Sequence, residues 1–286
     1  MPARPLTWTL AIVLTGALVL TLFPVFWIVM TSLKPPGEWN TTPAIWIPTQ
    51  PTPLNYRTLF DPDALRAYGV GGISEAATRA VFGSVIASVT ATALSVLIGL
   101  LAAIGLSRYA RGGRATPLII LSGRMFPPAA IAVPFVILFA NINLIDTYTG
   151  LIAIYVAVTL PFSTWMLKSF VDDLPREIEE AAMIDGRSRL GAHLTVTIPL
   201  IRGGLFATIM FIFILNWSEF MFALVLAYTN VITIPVQLAK YVTATAGTLY
   251  GVQAALAVLA MIPLVIGGFM IQSHLARGMT FGAVKR

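Results

Sequence analysis

Charge and cysteine are both scarce in this sequence. Of its 286 residues only 10% are charged, whereas about a quarter are charged in a typical soluble domain. The absence of cysteine excludes a disulfide framework, a thiolate metal site and a cysteine nucleophile. Hydrophobic residues make up 57% of the chain, and its mean hydropathy is +0.85. This composition predicts a polytopic membrane protein rather than a soluble domain.

Long uncharged stretches indicate how often the chain crosses the bilayer. Five stretches without Asp, Glu, Lys or Arg have the length of about 20 residues that a spanning helix needs; they are Leu6–Leu33, Ala80–Ser107, Met125–Ile145, Thr147–Leu167 and Tyr241–Ser273. A sixth, Gly203–Ala239, is interrupted only by Glu219. Unbroken apolar runs favour helices over the alternating strands of a barrel. We predict an all-α integral membrane protein, one domain over 1–286, with six spans near 9–32, 81–107, 115–140, 148–170, 203–228 and 252–276.

Basic residues predict the orientation of these spans. With the N-terminus inside, twelve Lys and Arg residues fall in cytoplasmic segments and five in outer segments. Positive charge accumulates on the cytoplasmic side of membrane proteins, so both termini are expected there. The net charge of +6 then follows from topology and requires no nucleic-acid partner. The first stretch is longer than the apolar part of a signal peptide, so we expect a retained anchor.

The predicted outer segments have two open interpretations. Residues 33–79 are rich in proline and carry Trp39, Trp46 and Tyr56, which suit either anchoring at the membrane interface or a surface facing a partner. Residues 229–250 have mixed polarity and are interpreted as an outer connection, partly re-entrant.

One internal connection, residues 171–202, holds the densest cluster of acids, bases, alanines and glycine. Asp173 followed by Pro175 predicts a capped helix start, and Gly186 predicts its end. A second short segment, Arg187–Thr197, leads to Pro199 and the next span. The sequence therefore predicts two short helices lying beneath the bilayer on its cytoplasmic side.

The first of these helices suits docking to a protein. Ile178, Ala181, Ala182 and Asp185 share one face by their spacing, and the two alanines allow close approach by another surface. An amphipathic helix resting on lipid would instead carry flanking bases and bulky apolar anchors. Docking is the favoured interpretation, with resting on lipid as the alternative.

The same stretch resembles the signature loop of ABC-importer permeases. In that loop Glu-Ala-Ala is followed by glycine, nine residues and an ending similar to Ile-x-Leu-Pro; here these are Glu180, Ala181 and Ala182, then Asp185-Gly186, then Val196-Thr197-Ile198-Pro199. Other pieces similar to the family are "TSLKPPGEW", "RMFPPAAIAVP", "LPFSTWMLKSF", "WSEFMFAL" and the C-terminal "GMTFGAVKR". Together they resemble the carbohydrate-importer subfamily, in particular its six-span maltose-type permease subunit.

The resemblance implies roles for the loop. Glu180 would pair with a basic group of a separate ATPase, Ala181 and Ala182 would pack into its cleft, and Gly186 would permit the tight turn, with Asp185 and Pro199 completing the motif. Departures from the family pattern at Arg187, His193, Val196 and Ile198 leave this role intact. His193 is expected to be a surface or interface residue without a metal.

The chain is not expected to hydrolyse ATP. Its nearest approach to a phosphate-binding loop, Gly186 to Gly191, continues with Ala192-His193 where Lys-Ser/Thr is required. We therefore expect a non-catalytic subunit that binds no cofactor itself, with ATP and magnesium on partner subunits.

Polar residues inside spans are candidates for the translocation path, because ionisable groups in lipid are costly. Arg124 and Glu219 either pair or line a cavity, or Glu219 caps a helix near the outer mouth. Asn216 adds polarity beside Glu219. Phe126, Trp217 and Phe220 either stack on a sugar or belong to the core.

These features predict a permease subunit of an ATP-driven importer in the bacterial inner membrane. The implied partners are a second permease, two ATP-binding subunits, an extracytoplasmic binding protein, a carbohydrate solute and membrane lipid. An ion-coupled transporter or an importer of another solute remains the alternative. A secondary transporter would show paired repeats around midplane acids, and an embedded enzyme would need a cluster of acids and histidines that His193 and His274 do not supply.

Overall fold

The computed structural model describes residues 8–61, 63–64, 77–109, 115–122, 127–227, 229–243 and 247–282. Within them the chain is helical apart from one short antiparallel pair, in which Val242 faces Thr248 and Thr243 faces Gly247. The helices are α1 (Trp8–Ser32), α2 (Leu54–Thr58), α3 (Ala77–Arg108), α4 (Thr116–Ser122), α5 (Pro128–Asn141), α6 (Tyr148–Asp172), α7 (Arg176–Ile184), α8 (Arg189–Ala192), α9 (Ile198–Leu200), α10 (Arg202–Trp217), α11 (Met221–Leu226), α12 (Ile234–Lys240) and α13 (Tyr250–Gly282). The strands are β1 (Val242–Thr243) and β2 (Gly247–Thr248).

Four helices are long and apolar enough to cross a membrane: α1, α3, α6 and α13. Each covers one of the predicted spans. Two other predicted spans are divided. The third corresponds to α4 and the 14-residue α5, and the fifth corresponds to α10 and α11, separated by Ser218–Phe220. An all-helical membrane protein is thus confirmed, whereas the count of six spans, the side on which the termini lie and the single domain stay predictions.

The chain forms two compact units. The first contains Met1–Thr78 and Gln237–Ile262, and it includes a hydrogen-bonded turn after α1. There the amide of Asn55 donates to the carbonyl oxygens of Ser32 and Lys34, both at 2.8 Å. Lys34 is buried and its ammonium lies 4.0 Å from the ring centroid of Trp27. The proline-rich segment is therefore folded onto the end of α1 by hydrogen bonds to its backbone.

The second unit contains Arg79–Val236 and Pro263–Arg286. Its centre is the crossing of α3 and α6, where small residues allow the two backbones to approach closely, as is common in membranes. Gly99 abuts Ser163, whose hydroxyl donates to the carbonyl of Ser95 at 2.5 Å. The hydroxyls of Ser95 and Thr159 are 2.8 Å apart. Polar groups within these apolar helices are thus satisfied by each other.

Two further contacts in the second unit hold the segment after α11. Asp146 accepts the backbone N–H groups of Thr229, Asn230 and Val231 at 3.2, 2.7 and 3.1 Å. In α3, Gly83 lies against the backbone carbonyl of Ile232, where a β-carbon would collide with the oxygen. The carboxylate of Asp146 and the small size of Gly83 therefore both help to fix the position of this segment.

Candidate functional site

The candidate site is the connection from α6 to α10, which begins with α7. The predicted cap at Asp173 is wrong: Asp173 ends α6, and its N–H donates to the carbonyl of Ser169 at 3.1 Å. Helix α7 begins at Arg176 after Pro175, without a side-chain cap. Proline disfavours helical backbone in the residue before it, so the helix does not extend back through Leu174. The acids Glu177 and Glu179 lie in the first turn, where the helix dipole favours them.

Gly186 ends α7, as predicted. Its φ is +87°, in the left-handed region where glycine has no steric cost. Its N–H donates to the carbonyl of Met183 and that of Arg187 donates to Ala182, both at 3.1 Å. These bonds satisfy carbonyl groups that the end of a helix leaves open. The backbone therefore reverses sharply at the glycine of the motif.

The second arm of the connection is short and irregular. The hydroxyl of Ser188 accepts the N–H of Gly191 at 3.1 Å and so caps α8. A single π-helical turn, His193–Thr197, follows and leads into α9. The helical stretch from Arg189 to Leu200 meets α10 at an angle of 76°. The prediction of two short helices before the next span is confirmed.

Most of the predicted docking residues lie on the exposed surface of this connection. Glu180, Ala181, Asp185, Gly186 and Pro199 are exposed, and Ala182 is half-buried. Among the apolar neighbours, Ile184 is 86% exposed and Leu190 is 64% exposed. The structure thus brings the Glu-Ala-Ala residues together on one short helix, beside apolar side chains that nothing in the described part of the chain covers.

Another face of α7 carries an ion pair that the sequence did not predict. Glu179 pairs with Arg108, the last residue of α3; the Nε of Arg108 lies 2.9 and 3.0 Å from the two carboxylate oxygens. Their side chains are only 8% and 6% exposed. Arg176, Glu179 and Met183 follow each other at helical spacing, which would have indicated a second face. Arg108 is one of the twelve Lys and Arg residues assigned to cytoplasmic segments, and its separation of 71 residues from Glu179 conceals the pairing in the sequence.

His193 is buried, so the expectation of a surface or interface position is wrong. Its Nε2 lies 2.9 Å from the hydroxyl of Tyr109, and its Nδ1 lies 3.2 Å from the hydroxyl of Thr197. Thr197 donates to Glu179 at 2.7 Å. The imidazole is thus held inside the cluster by hydrogen bonds through both of its ring nitrogens.

A cavity of about 250 Å³ opens beside this cluster. Its walls come from the end of α3 and from α7, α8 and the start of the π-helical turn; they are Arg108, Tyr109, Arg176, Glu179, Glu180, Met183, Arg189, Ala192 and His193. In the part of the chain that the structure describes, no three His, Asp or Glu side chains are placed to hold a metal ion. The contacts observed in the cluster are an ion pair and hydrogen bonds.

The candidate path residues are only partly brought together. Arg124 and Phe126 lie outside the described residues. The carboxylate of Glu219 accepts the N–H groups of Phe222 and Ala223 at 3.0 and 3.1 Å, which supports the interpretation that it caps a helix, here α11. The break between α10 and α11 is thus stabilised by a carboxylate at the start of the second helix.

The neighbours of Glu219 divide between core and surface. The amide of Asn216 donates to the hydroxyl of Thr92 at 3.1 Å, and both residues are buried. Trp217 is buried, with its ring centroid 5.5 Å from that of Phe213, which supports a packing role. Phe220 is 39% exposed.

An apolar groove of about 540 Å³ lies between α3 and α10, and Thr92 is the one hydroxyl among its lining residues.

Comparison with known proteins places this geometry in a family. Residues 95–281 match the binding-protein-dependent transport system inner membrane component family. The sulfoquinovosyl glycerol transport system permease protein SmoH of Agrobacterium fabrum is 34% identical, over 99% of this chain and 94% of the relative. The trehalose/maltose transport system permease protein MalG of Thermococcus litoralis is 32% identical, over 93% and 92%. The diacetylchitobiose uptake system permease protein DasC of Streptomyces coelicolor is 30% identical, over 92% and 91%.

A solved structure shares the fold. A chain of a bacterial ABC transporter involved in the import of the acidic polysaccharide alginate superposes with a TM-score of 0.74, covering 92% of this chain and 94% of that one at 20% identity. Because the family match includes the whole connection from α6 to α10 and the relatives align along nearly their full length, the chain belongs to the binding-protein-dependent transport system inner membrane component family.

Proposed function

We propose that this chain is a membrane-spanning permease subunit of an ATP-driven ABC importer that brings a carbohydrate into the cytoplasm. The observation that carries the proposal is the exposed face of α7, on which Glu180, Ala181 and Ala182 lie within the family match. The partners would be a second permease, two ATP-binding subunits and an extracytoplasmic binding protein. The chain itself would be non-catalytic, with ATP and magnesium held by the ATP-binding subunits.

Docking would use the exposed residues of α7. Glu180 offers an acid to a basic group, while the small Ala181 and Ala182 leave room for a partner backbone. Ile184, 86% exposed, offers an apolar contact at the end of the same helix. Burying an exposed isoleucine in an interface is favourable by about 1.5–3 kcal/mol. Asp185, Gly186 and Pro199 would hold the shape of the connection, so a partner would meet a rigid surface.

The solute class is argued from the relatives. Their names refer to sulfoquinovosyl glycerol, trehalose or maltose, and diacetylchitobiose. We infer a carbohydrate for this chain too: a sugar, an oligosaccharide or a polyol. Arg124, Phe126, Asn216, Glu219 and Phe220 remain candidates for the path, with Trp217 a candidate of less weight because it packs in the core.

The membrane arrangement belongs to the same proposal. Six spans, with α4–α5 and α10–α11 each forming one, would place both termini and the connection from α6 to α10 in the cytoplasm. Helix α7 would then lie on the side where ATP is hydrolysed.

The proposal is tested by reconstituting the chain with its partner permease, ATP-binding subunits and binding protein in liposomes. Uptake of trehalose, diacetylchitobiose or sulfoquinovosyl glycerol should require internal ATP and be abolished by vanadate. Uptake that stops when an ion gradient is dissipated, and continues without ATP, would instead identify an ion-coupled transporter.

A matched pair of variants tests the docking surface. Glu180→Lys should weaken retention of the ATP-binding subunits by at least about tenfold, because juxtaposed like charges in an interface cost several kcal/mol. Asp173→Lys makes the same change of charge at an exposed position that precedes α7 and should retain them. Equal retention by both variants would contradict docking through Glu180.

A further inference from the structure

The connection from α6 to α10 is tied to a helix that it does not adjoin in sequence. Arg108 ends α3, yet its Nε bonds both oxygens of Glu179 on α7 and its Nη2 donates to the carbonyl of Leu174 at 3.1 Å. A reciprocal bond runs from the Nη2 of Arg176 to the carbonyl of Ser107 at 2.7 Å. The end of α3 and the connection therefore each donate hydrogen bonds to the other through an arginine.

The carboxylate of Glu179 is held from a second direction. Thr197, at the end of the π-helical turn, donates to its Oε1 at 2.7 Å, and the Nδ1 of His193 lies 3.8 Å from its Oε2. His193 is also bonded to Tyr109, the residue after Arg108. One carboxylate thus joins both arms of the connection to the end of α3.

Burial sets this pair apart from an ordinary surface ion pair. Charges removed from water gain little net stability when paired, but removing one partner leaves an uncompensated buried charge. The nearby pair of Lys168 and Asp172 has side chains 22% and 45% exposed, and such exposed pairs contribute little. The Arg108–Glu179 pair therefore fixes geometry more than it adds stability.

We propose that the Arg108–Glu179 pair is the joint through which movement of α7 displaces α3. The inference rests on the proposed function, in which ATP-binding subunits move α7. Covalently, α7 is connected only to α6 on one side and to α10 through α8 and α9 on the other. Helix α3 ends about seventy residues earlier in the sequence, so only side-chain and backbone contacts can couple it to the connection. Glu179 and Arg108 are positioning residues in this proposal, whereas Glu180 faces the partner.

A distance measurement tests the joint without requiring an identified solute. Because the chain has no cysteine, Met183→Cys on α7, outside the proposed docking residues, and Leu101→Cys on α3 give two selective spin-label sites, both exposed. The complete complex in nanodiscs is compared without nucleotide and with magnesium, ATP and vanadate. In the otherwise wild-type chain the mean distance between these two labels should be the same in both states. The distance from the Met183 label to a label on the ATP-binding subunit that docks on the second permease should change between the two states.

The variants separate coupling from stability. Glu179→Gln keeps the size of the side chain and an acceptor for Thr197 but removes the charge. The distance from α7 to α3 should then differ between the two nucleotide states. Uptake per ATP hydrolysed should fall about tenfold, which lies within the 5–150-fold range of typical couplings between sites. Arg108→Gln with Glu179→Gln leaves no unpaired buried charge, so it should melt like the wild type and yet stay uncoupled. Asp173→Asn removes an exposed carboxylate charge outside α7 and should leave every readout unchanged.

The outcomes distinguish this inference from the proposed function. A wild-type complex that retains no ATP-binding subunits or shows no movement of α7 with nucleotide would overturn the proposed function itself. A wild-type complex that works, with Glu179→Gln or the double variant equally coupled, would overturn the joint alone. A wild-type distance from α7 to α3 that changes with nucleotide would also overturn the joint.

Discussion

Gly186 ends α7 in a backbone conformation that residues with a β-carbon rarely adopt, so its replacement isolates the cost of that conformation. At Gly186 a β-carbon would meet no atom within 4 Å. The whole penalty of Gly186→Ala is therefore the left-handed backbone, about 1–2 kcal/mol for an L-residue. Because the chain on either side of Gly186 is exposed, we expect this penalty to appear as local opening of the connection rather than as global unfolding.

Trypsin can measure that opening, because Arg187 follows the glycine directly. A penalty of 1–2 kcal/mol raises the ratio of open to closed states by about 5–30-fold, and cleavage follows that ratio when opening and closing are fast. Cleavage after Arg187 in the purified chain should therefore be about 5–30-fold faster in Gly186→Ala than in the wild type.

Two variants serve as controls for this measurement. Gly186→Asn should be cleaved more slowly than Gly186→Ala, because asparagine tolerates the left-handed region better. Gly203→Ala in α10 also meets no atom within 4 Å and has no left-handed backbone, so its cleavage should match the wild type. Equal cleavage of Gly186→Ala and wild type would refute the assigned turn.

Three further predictions concern the rest of the fold. Gly83→Ala should lower the melting temperature, since its β-carbon collides with a backbone carbonyl and overpacking costs about 1–3 kcal/mol; Gly105→Ala, on the same helix with open space, should not. Asp146→Ala should cost about 1 kcal/mol in thermal unfolding, the net value of an ordinary hydrogen bond, because it removes the acceptor of three backbone N–H groups, two of which belong to exposed residues; an unchanged melting temperature would contradict a role of Asp146 in holding the segment after α11. Burial raises the pKa of Tyr241 to about 12, from 10.0, so the folded state binds the phenol proton more tightly than the unfolded state does. The contribution of this proton to the free energy of unfolding should be fully present below pH 10 and should be lost as the pH rises towards 12. Tyr241→Phe should therefore show a smaller fall of melting temperature between pH 10 and pH 12.

Helices in lipid were predictable because their length and composition are dictated by the bilayer. The predicted spans 81–107 and 148–170 correspond to α3, Ala77–Arg108, and α6, Tyr148–Asp172. Length and composition describe a whole apolar stretch, however, and do not reveal a local break in the helix. Glu219 interrupts an apolar run by only one residue, yet it accepts two backbone N–H groups and starts a new helix. Breaks of this kind depend on a few hydrogen bonds, which hydropathy does not record.

In the candidate site, too, the features that depend on neighbouring residues were predictable from the sequence, and those that depend on tertiary contacts were not. The stop at Gly186 was predictable because glycine has a local conformational advantage there. The burial of His193 was not, because its partner Tyr109 lies 84 residues earlier in the sequence. The wrong cap at Asp173 arose from a local rule that competed with another: Pro175 determines where α7 can begin.

Glu179 and Glu180 show why adjacent identical residues can have different roles. Consecutive residues on a helix point about 100° apart, so α7 can direct one carboxylate to Arg108 and leave the next exposed. A motif that begins at Glu180 records the face that a partner would meet, whereas the buried carboxylate before it depends on the end of α3. A docking interface would therefore constrain Glu180, whereas the pairing with Arg108 constrains Glu179. The second constraint can be recognised only from the tertiary structure, because Arg108 lies far upstream in the sequence.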